Sequence, residues 1–142
     1  MAALTQSRMV SFDTIKSKLL PIPAGVKVYA GGMACIDVSA GYCKPGASAN
    51  ANLKRVGVFD KDVDNSGGGS AVLVPVTLDS EIVVQWFDNA TGANKVLATD
   101  LFSDVYIQDD HTVTKNNSGT SKAGRVWAVD ALKGVAVEAT DL

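Results

Sequence analysis

The amino-acid sequence predicts an all-β domain of two packed sheets, and three observations carry that expectation. Short runs rich in Val, Ile, Thr and aromatic residues recur and are bounded by Gly, Asn, Asp and Ser, the pattern of a sandwich or barrel and not of alternating strands and helices. Within those runs apolar and polar residues alternate, as a strand with one face in the core requires. The 142-residue length suits one domain, which at this size buries roughly 68–70% of its unfolded surface.

The first 25 residues read differently. Phe12, Ile15, Leu19 and Ile22 fall at helical spacing, Ser11 can cap the turn, and Pro21 and Pro23 would end it, while an extended arm fits the same residues equally well. Residues 1–25 are therefore set apart as an N-terminal arm or short helix, and residues 26–142 as a β-sandwich domain. The strands that follow suffice for two sheets, so Phe12, Ile15, Leu19, Leu20 and Ile22 are surplus to the core and are expected to meet a partner surface, the alternative being that the segment folds back as an edge strand or short helix over one end of the sandwich.

Residues 26–30 alternate with Val26 and Val28 on one face, Gly31-Gly32 turns the chain into residues 33–38, and Ser39-Ala40-Gly41 looks like a hairpin loop. Residues 44–52 are small and polar, hence a loop; extended structure resumes over residues 53–59, and residues 60–70 form the next loop. The clearest core signal lies in residues 71–78 and 81–87, which both alternate and are separated only by Asp79-Ser80. They should pair as a hairpin, with Val72, Val74, Val76, Leu78, Ile82, Val84 and Trp86 facing one core. Val83 and Phe87 would then point outward as contact positions. Pro75 cannot donate a ladder hydrogen bond, which places that strand at an edge or at a bulge. Residues 105–108, 111–114, 124–129 and 135–138 complete about eight to ten strands, enough for two sheets.

Composition narrows the function. Hydrophobic residues make up 46% and charged residues 20%, with 13 Lys and Arg against 15 Asp and Glu, a net charge of -2. The basic residues are scattered singly, so no phosphate-neutralising face and no nucleic-acid partner is expected. Neither a secretory apolar core nor an apolar run long enough to span a bilayer occurs, so no membrane partner is expected and synthesis in the cytosol is. A reducing compartment would keep Cys35 and Cys43 as thiols, although they could meet across a hairpin.

Candidate chemical sites are weak. Asp60-Lys61-Asp62-Val63-Asp64-Asn65-Ser66-Gly67 spaces its acids as calcium loops do, but Asn65 stands where the sharp turn needs Gly and Ala71 where a bidentate Glu belongs. His111, the single histidine, follows Asp109-Asp110 in a turn without a placed nucleophile. Cys35, Cys43 and His111 lack the tight spacing of zinc ligands. Gly67-Gly68-Gly69 has neither the Gly-Lys-Ser/Thr ending nor the following helix of a phosphate loop. No catalytic residue, metal or cofactor is therefore expected, and the chain is read as a binding or structural module, not an enzyme.

Asp62-Val63-Asp64-Asn65-Ser66, the segment over residues 72–87, Asp100-Leu101-Phe102-Ser103-Asp104-Val105-Tyr106 and Ala123-Gly124-Arg125-Val126-Trp127-Ala128-Val129-Asp130 together resemble the small head decoration, or cement, proteins of tailed bacteriophages. The resemblance runs over about residues 29–138. It implies a jelly-roll β-sandwich on the outer surface of the virion, made in the host cytoplasm, with the major capsid protein as partner and a homodimer or other small oligomer as the attaching unit. A carbohydrate-binding β-sandwich module of the virion surface is the alternative. It would want several exposed aromatic side chains from a stock of four Phe, two Trp and three Tyr.

Overall fold

The computed structural model describes Gln6, residues 17–79 and residues 84–139. Among these, twelve strands follow in chain order: β1 (Ser17–Ile22), β2 (Lys27–Val28), β3 (Met33–Asp37), β4 (Cys43–Pro45), β5 (Leu53–Phe59), β6 (Val63–Asp64), β7 (Val72–Leu78), β8 (Val84–Asn89), β9 (Asp104–Ile107), β10 (Thr112–Thr114), β11 (Lys122–Asp130) and β12 (Gly134–Glu138). The expected all-β class stands. Its strands form a five-stranded sheet in the order β1-β7-β5-β3-β4, a closed barrel β10-β8-β12-β11-β9 and a small β2-β6 ribbon. One set of strands thus closes on itself where a sandwich would have an open leaf. Closure removes sheet edges, which a short-stranded unit of this kind cannot otherwise cover.

Two apolar cores result. On one face of the sheet, Leu20 and Ile22 of β1 meet Val74 and Val76 of β7, Phe59, Ala34 and Cys43, with Val28 of the ribbon beside them. The barrel encloses Phe87, Val96, Val105, Ile107, Val113, Val126, Val135 and Val137, and draws in Met33, Cys35 and Leu53 from the sheet. Each fully buried aliphatic or aromatic side chain contributes roughly 1.5–3 kcal/mol by removal from water. Cys35 and Cys43 belong to different cores, because Ile36 is the residue opposite Cys43 and alternation turns Cys35 to the other face. They do not meet across the hairpin; both are free, and burial pushes both thiols up to about 12.

The alternation of residues 72–78 identified the face correctly and the partner wrongly. Val74 and Val76 are fully buried, yet β7 pairs with β1 and β5, whereas β8 pairs with β12 and β10 in the barrel. Asp79 does not turn the chain back. It is 3% exposed, donates its N–H to the Val56 carbonyl and carries the chain from sheet to barrel. Val72 is partly exposed at the strand's end, and Ile82 lies outside the described residues. Pro75 is neither on an edge strand nor at a bulge. It sits where the β5 ladder stops: the Asp60 N–H donates to the Pro75 carbonyl at 3.1 Å, and Pro75 has no N–H to return. Gly57 lets β7 come close, since a β-carbon there would collide with the Thr77 carbonyl.

In β8 the period is right and the sign is reversed. Phe87 is 4% exposed and Trp86 is 40% exposed, because Phe87 lies opposite Val135 in the barrel interior. Residues 17–22 form neither a free arm nor a helix but the folded-back edge strand β1, in which Leu20 and Ile22 face the core. Two prolines with fixed φ suit that extended path better than a helix.

Sheet and barrel are joined through Arg55. Its guanidinium donates from Nη1 to the Ala123 carbonyl at 3.0 Å, from Nη2 to Asp79 at 3.2 Å and to Gln85 Oε1 at 3.3 Å, and it lies 5.1 Å from the centre of the Phe87 ring. Ser121 adds a second tie, accepting the Leu53 N–H and donating to the Asn50 carbonyl.

Candidate interaction surfaces

On the sheet, β1 and β4 are the edge strands among the described residues, and β1 presents one face to solvent. The register sets Leu19 opposite Pro75 and Pro21 opposite Leu73, so these four share the face turned away from Leu20, Ile22, Val74 and Val76. Leu19 and Leu73 are 58% and 61% exposed, and the two prolines are half-buried. The strip is apolar, continuous across two strands and directly follows residues 1–16.

On the barrel, alternation places a second apolar surface. Val135 and Val137 point inward, so Ala136 between them faces the outer side of the barrel, where it is fully buried between Trp86 on β8 and Ala128 on β11. The β11 register slips between Val126 and Ala128, and the additional residue, Trp127, is half-exposed. Phe102 packs edge-on against Trp127, with ring centres 6.1 Å apart at 85°. Arg125 lies 5.9 Å from the Phe102 ring and is ion-paired with Glu138 at 2.8 Å; Lys133 lies 5.4 Å from the Trp86 ring. Phe102 has φ of 64° while its ring is 60% exposed. A bulky residue in the left-handed region carries strain of order 1–3 kcal/mol, and this one recovers little of it by burial.

The expected contact residues divide accordingly. Leu19 is exposed and lies in the sheet strip. Leu20, Ile22 and Phe87 are buried in this chain's own cores and are not contact residues, because alternation turns each of them inward. Phe12, Ile15 and Val83 lie outside the described residues. Sequence reasoning passed over Leu73 and Phe102, and it placed Trp86, which is 40% exposed, in the core. A signal for Phe102 was present, since an aromatic residue between Asp100 and Ser103-Asp104 has no strand to belong to.

The polar candidates are held by structural bonds. In the 60–67 loop, Asp62 accepts the Ala30 N–H, Asp64 accepts the Ser66 N–H, and Asp60 accepts from the Thr77 hydroxyl. Asn65, 5% exposed, donates its amide to the Pro23 and Ser70 carbonyls at 3.0 Å each. His111 directly precedes β10 on the surface, with Nδ1 3.0 Å from Asp110 and 3.1 Å from Asp109. The hydrogen bond to Asp110 raises its pKa, helped by the charges of Asp109 and Asp88. The ligand atoms of Asp109, Asp110 and His111 lie within 4.8 Å of one another, a grouping hidden when His111 is considered alone. A groove of about 590 Å³ opens at one end of the barrel beside Leu97, Val129 and Leu132. Two of its polar side chains are engaged: Asn89 grips the Val96 backbone through both amide atoms, and Asp130 accepts the Leu132 and Lys133 N–H groups. Comparisons with protein-family models, curated proteins and solved structures find no match to this chain.

Proposed function

We propose that this chain is a virion structural protein that binds the outer surface of an assembled bacteriophage capsid and cements neighbouring capsomers. The observation that carries the reading is the exposed strip of Leu19, Pro21, Leu73 and Pro75 on the edge of the sheet. An apolar surface at a sheet edge is a liability in solution unless a partner covers it, and it adjoins the N-terminal residues whose apolar side chains suggested attachment. The motif resemblance to phage decoration proteins supplies the partner, the major capsid protein, and a small homo-oligomer as the attaching unit. In that reading the curled sheet and the barrel stand for the two leaves of a jelly-roll sandwich, one of which has closed.

Cementing needs no chemistry. A clamp that binds the assembled lattice and not free subunits stabilises the lattice by its own binding free energy, and attachment at two or more points raises its effective concentration at each. The decisive experiment is retention on expanded, decoration-free capsids of the wild-type chain and of a Leu19→Ser/Leu73→Ser variant. Both residues are exposed, so melting should barely move, while retention should fall by about ten-fold or more. Wild-type protein that is not retained, or a variant that is retained equally well, would reject the reading.

A further inference from the structure

His111, the chain's single histidine, has carboxylates on both sides of its ring. Nδ1 lies 3.0 Å from Asp110 and 3.1 Å from Asp109, and Nε2 lies 3.9 Å from Asp88 of β8. A neutral imidazole carries one N–H and turns a lone pair to the other side, whereas the imidazolium offers an N–H to both. Only the charged form suits acceptors on both sides. Among the described residues, Asp88, Asp109 and Asp110 form ion pairs with His111 alone, so a neutral ring leaves three neighbouring carboxylates without a counter-charge.

The same turn is a backbone junction. The Met33 N–H of the sheet donates to the Asp110 carbonyl at 2.7 Å, and the Asp88 N–H of the barrel donates to the His111 carbonyl at 2.8 Å. The His111 N–H donates to Asp109 Oδ1 at 2.9 Å. Opposite lies the turn over residues 29–32, which with Asp110 and His111 lines a cavity of about 420 Å³. Gly32 lets the Asp110 carboxylate come close, since a β-carbon there would sit 3.2 Å from Oδ2. Charged groups beside that turn are engaged within the sheet: Lys27 lies 5.3 Å from the centre of the Tyr29 ring, and Asp62 accepts the Ala30 N–H.

We propose that His111 is a proton-operated clasp between sheet and barrel: the imidazolium draws Asp88, Asp109 and Asp110 together and holds the turn before β10 against both halves, and loss of the proton loosens it. The arrangement suits a proton and not a metal ion, which needs a ring lone pair where the imidazolium carries N–H. The hydrogen bond to Asp110, with the charges of Asp109, Asp110 and Asp88, outweighs burial and raises the His111 pKa above 6.5. A group whose pKa is raised by folding contributes stability that is fully present below its unfolded value and is lost as pH rises through the folded one. The clasp is thus closed below about pH 6.5 and opens as pH rises past the raised pKa. It lies apart from the sheet strip assigned to the capsid, so the two readings fail separately.

With one histidine in the full chain, its ring signals can be titrated by NMR without ambiguity. A midpoint above 6.5 is expected, moving toward 6.5 in Asp110→Asn and Asp88→Asn. Amide hydrogen exchange of Met33 and Asp88, whose N–H groups hold the turn, reads the clasp itself. Compared with His111→Gln at the same pH, wild-type protection should be about two-fold or more higher at about pH 6 and equal at about pH 9, a modest effect because the ring is exposed. A midpoint at or below 6.5, or one that neither Asn variant lowers, would overturn the proposal. So would a raised midpoint with equal protection in wild type and His111→Gln throughout, or a difference in protection that does not change with pH, which would make the role of His111 independent of its proton.

Discussion

Asp79, the residue after β7, holds Arg55 of β5 at 3.2 Å with both side chains almost fully buried. Arg55 reaches on to Ala123 and Gln85, so one guanidinium fixes the sheet against the barrel. Burial lowers the Arg55 pKa and raises that of Asp79, each against the pull of the other's charge. A pair of this kind is costly to desolvate and more costly to break, because the survivor is left as a buried lone charge.

Asp79→Ala should therefore destabilise the chain by roughly 3–5 kcal/mol in denaturant unfolding. Replacing both partners, as Arg55→Met with Asp79→Leu, should recover much of that loss, since Nε of Arg55 and Oδ2 of Asp79 have no partners among the described residues. A double variant as unstable as the single would show that the bonds to Ala123 and Gln85 matter more than the pair.

The two adjacent aromatic residues of β8 should behave in opposite ways. Phe87→Ala opens a cavity in the barrel and should cost roughly 3–5 kcal/mol, whereas Trp86→Ala removes a ring from the outer wall and should cost under about 1 kcal/mol. Alternation read from the sequence assigns these roles the other way round, so a denaturant melt of the pair is a direct check. Equal costs would indicate that Trp86 shields the wall beneath it as effectively as Phe87 fills the interior.

That reversal shows which part of the fold was legible. Strand existence could be read over much of the chain from alternation and turn residues: β3, β5, β7, β9, β11 and β12 fall within a residue or two of expectation, whereas the short β4 and β6 reach into segments 44–52 and 60–70, which read as loops because a strand of two or three residues shows no alternation. Period two is a local property, however, and does not name the partner. The 71–78 and 81–87 runs are adjacent in sequence, yet what separates them is a buried carboxylate whose counter-ion lies 24 residues away, a fact no local pattern encodes. The sign of a face is equally non-local when, as in β8, both faces carry aromatic residues. Helical spacing over residues 12–22 misled because its last two members, Leu19 and Ile22, lie on opposite faces of a strand. The contact surfaces were least legible, since exposure depends on what the rest of the chain leaves uncovered.

Acid should reveal the carboxylate that anchors the β3–β4 turn. Asp37 accepts the Ser39 hydroxyl and N–H and the Lys44 ammonium at 2.9 Å, and these bonds, the Ser39 hydroxyl first, lower its pKa from 3.8 to about 2. A carboxyl whose pKa is depressed by folding contributes stability that is present above its unfolded value and is lost as pH falls through the folded one. The wild-type chain should thus lose its margin over Asp37→Asn between about pH 4 and pH 2, with a constant difference at higher pH. Parallel melting curves across that window would place the anchor elsewhere.

The last expectation concerns the acidic loop over residues 60–67, whose spacing imitates a calcium site. Its order comes from within the chain. Asn65 occupies the position where a calcium loop turns on Gly, and its buried amide straps the Pro23 and Ser70 carbonyls together, while its backbone exchanges hydrogen bonds with Gly25 and Val26. Asp62 and Asp64 spend their oxygens on the backbone N–H groups of Ala30 and Ser66. An ion would have to displace those bonds, and the loop lacks the bidentate carboxylate to repay them. Asn65→Ala should accordingly cost roughly 1–3 kcal/mol, the penalty for stranding buried carbonyls, whereas chelator or added calcium should leave the melting temperature unchanged. A melting temperature that falls in chelator and recovers with calcium would reverse the assignment. If it did so in Asn65→Ala as well, the ion would be held elsewhere, and the surface grouping of Asp109, Asp110 and His111 would be the first place to look.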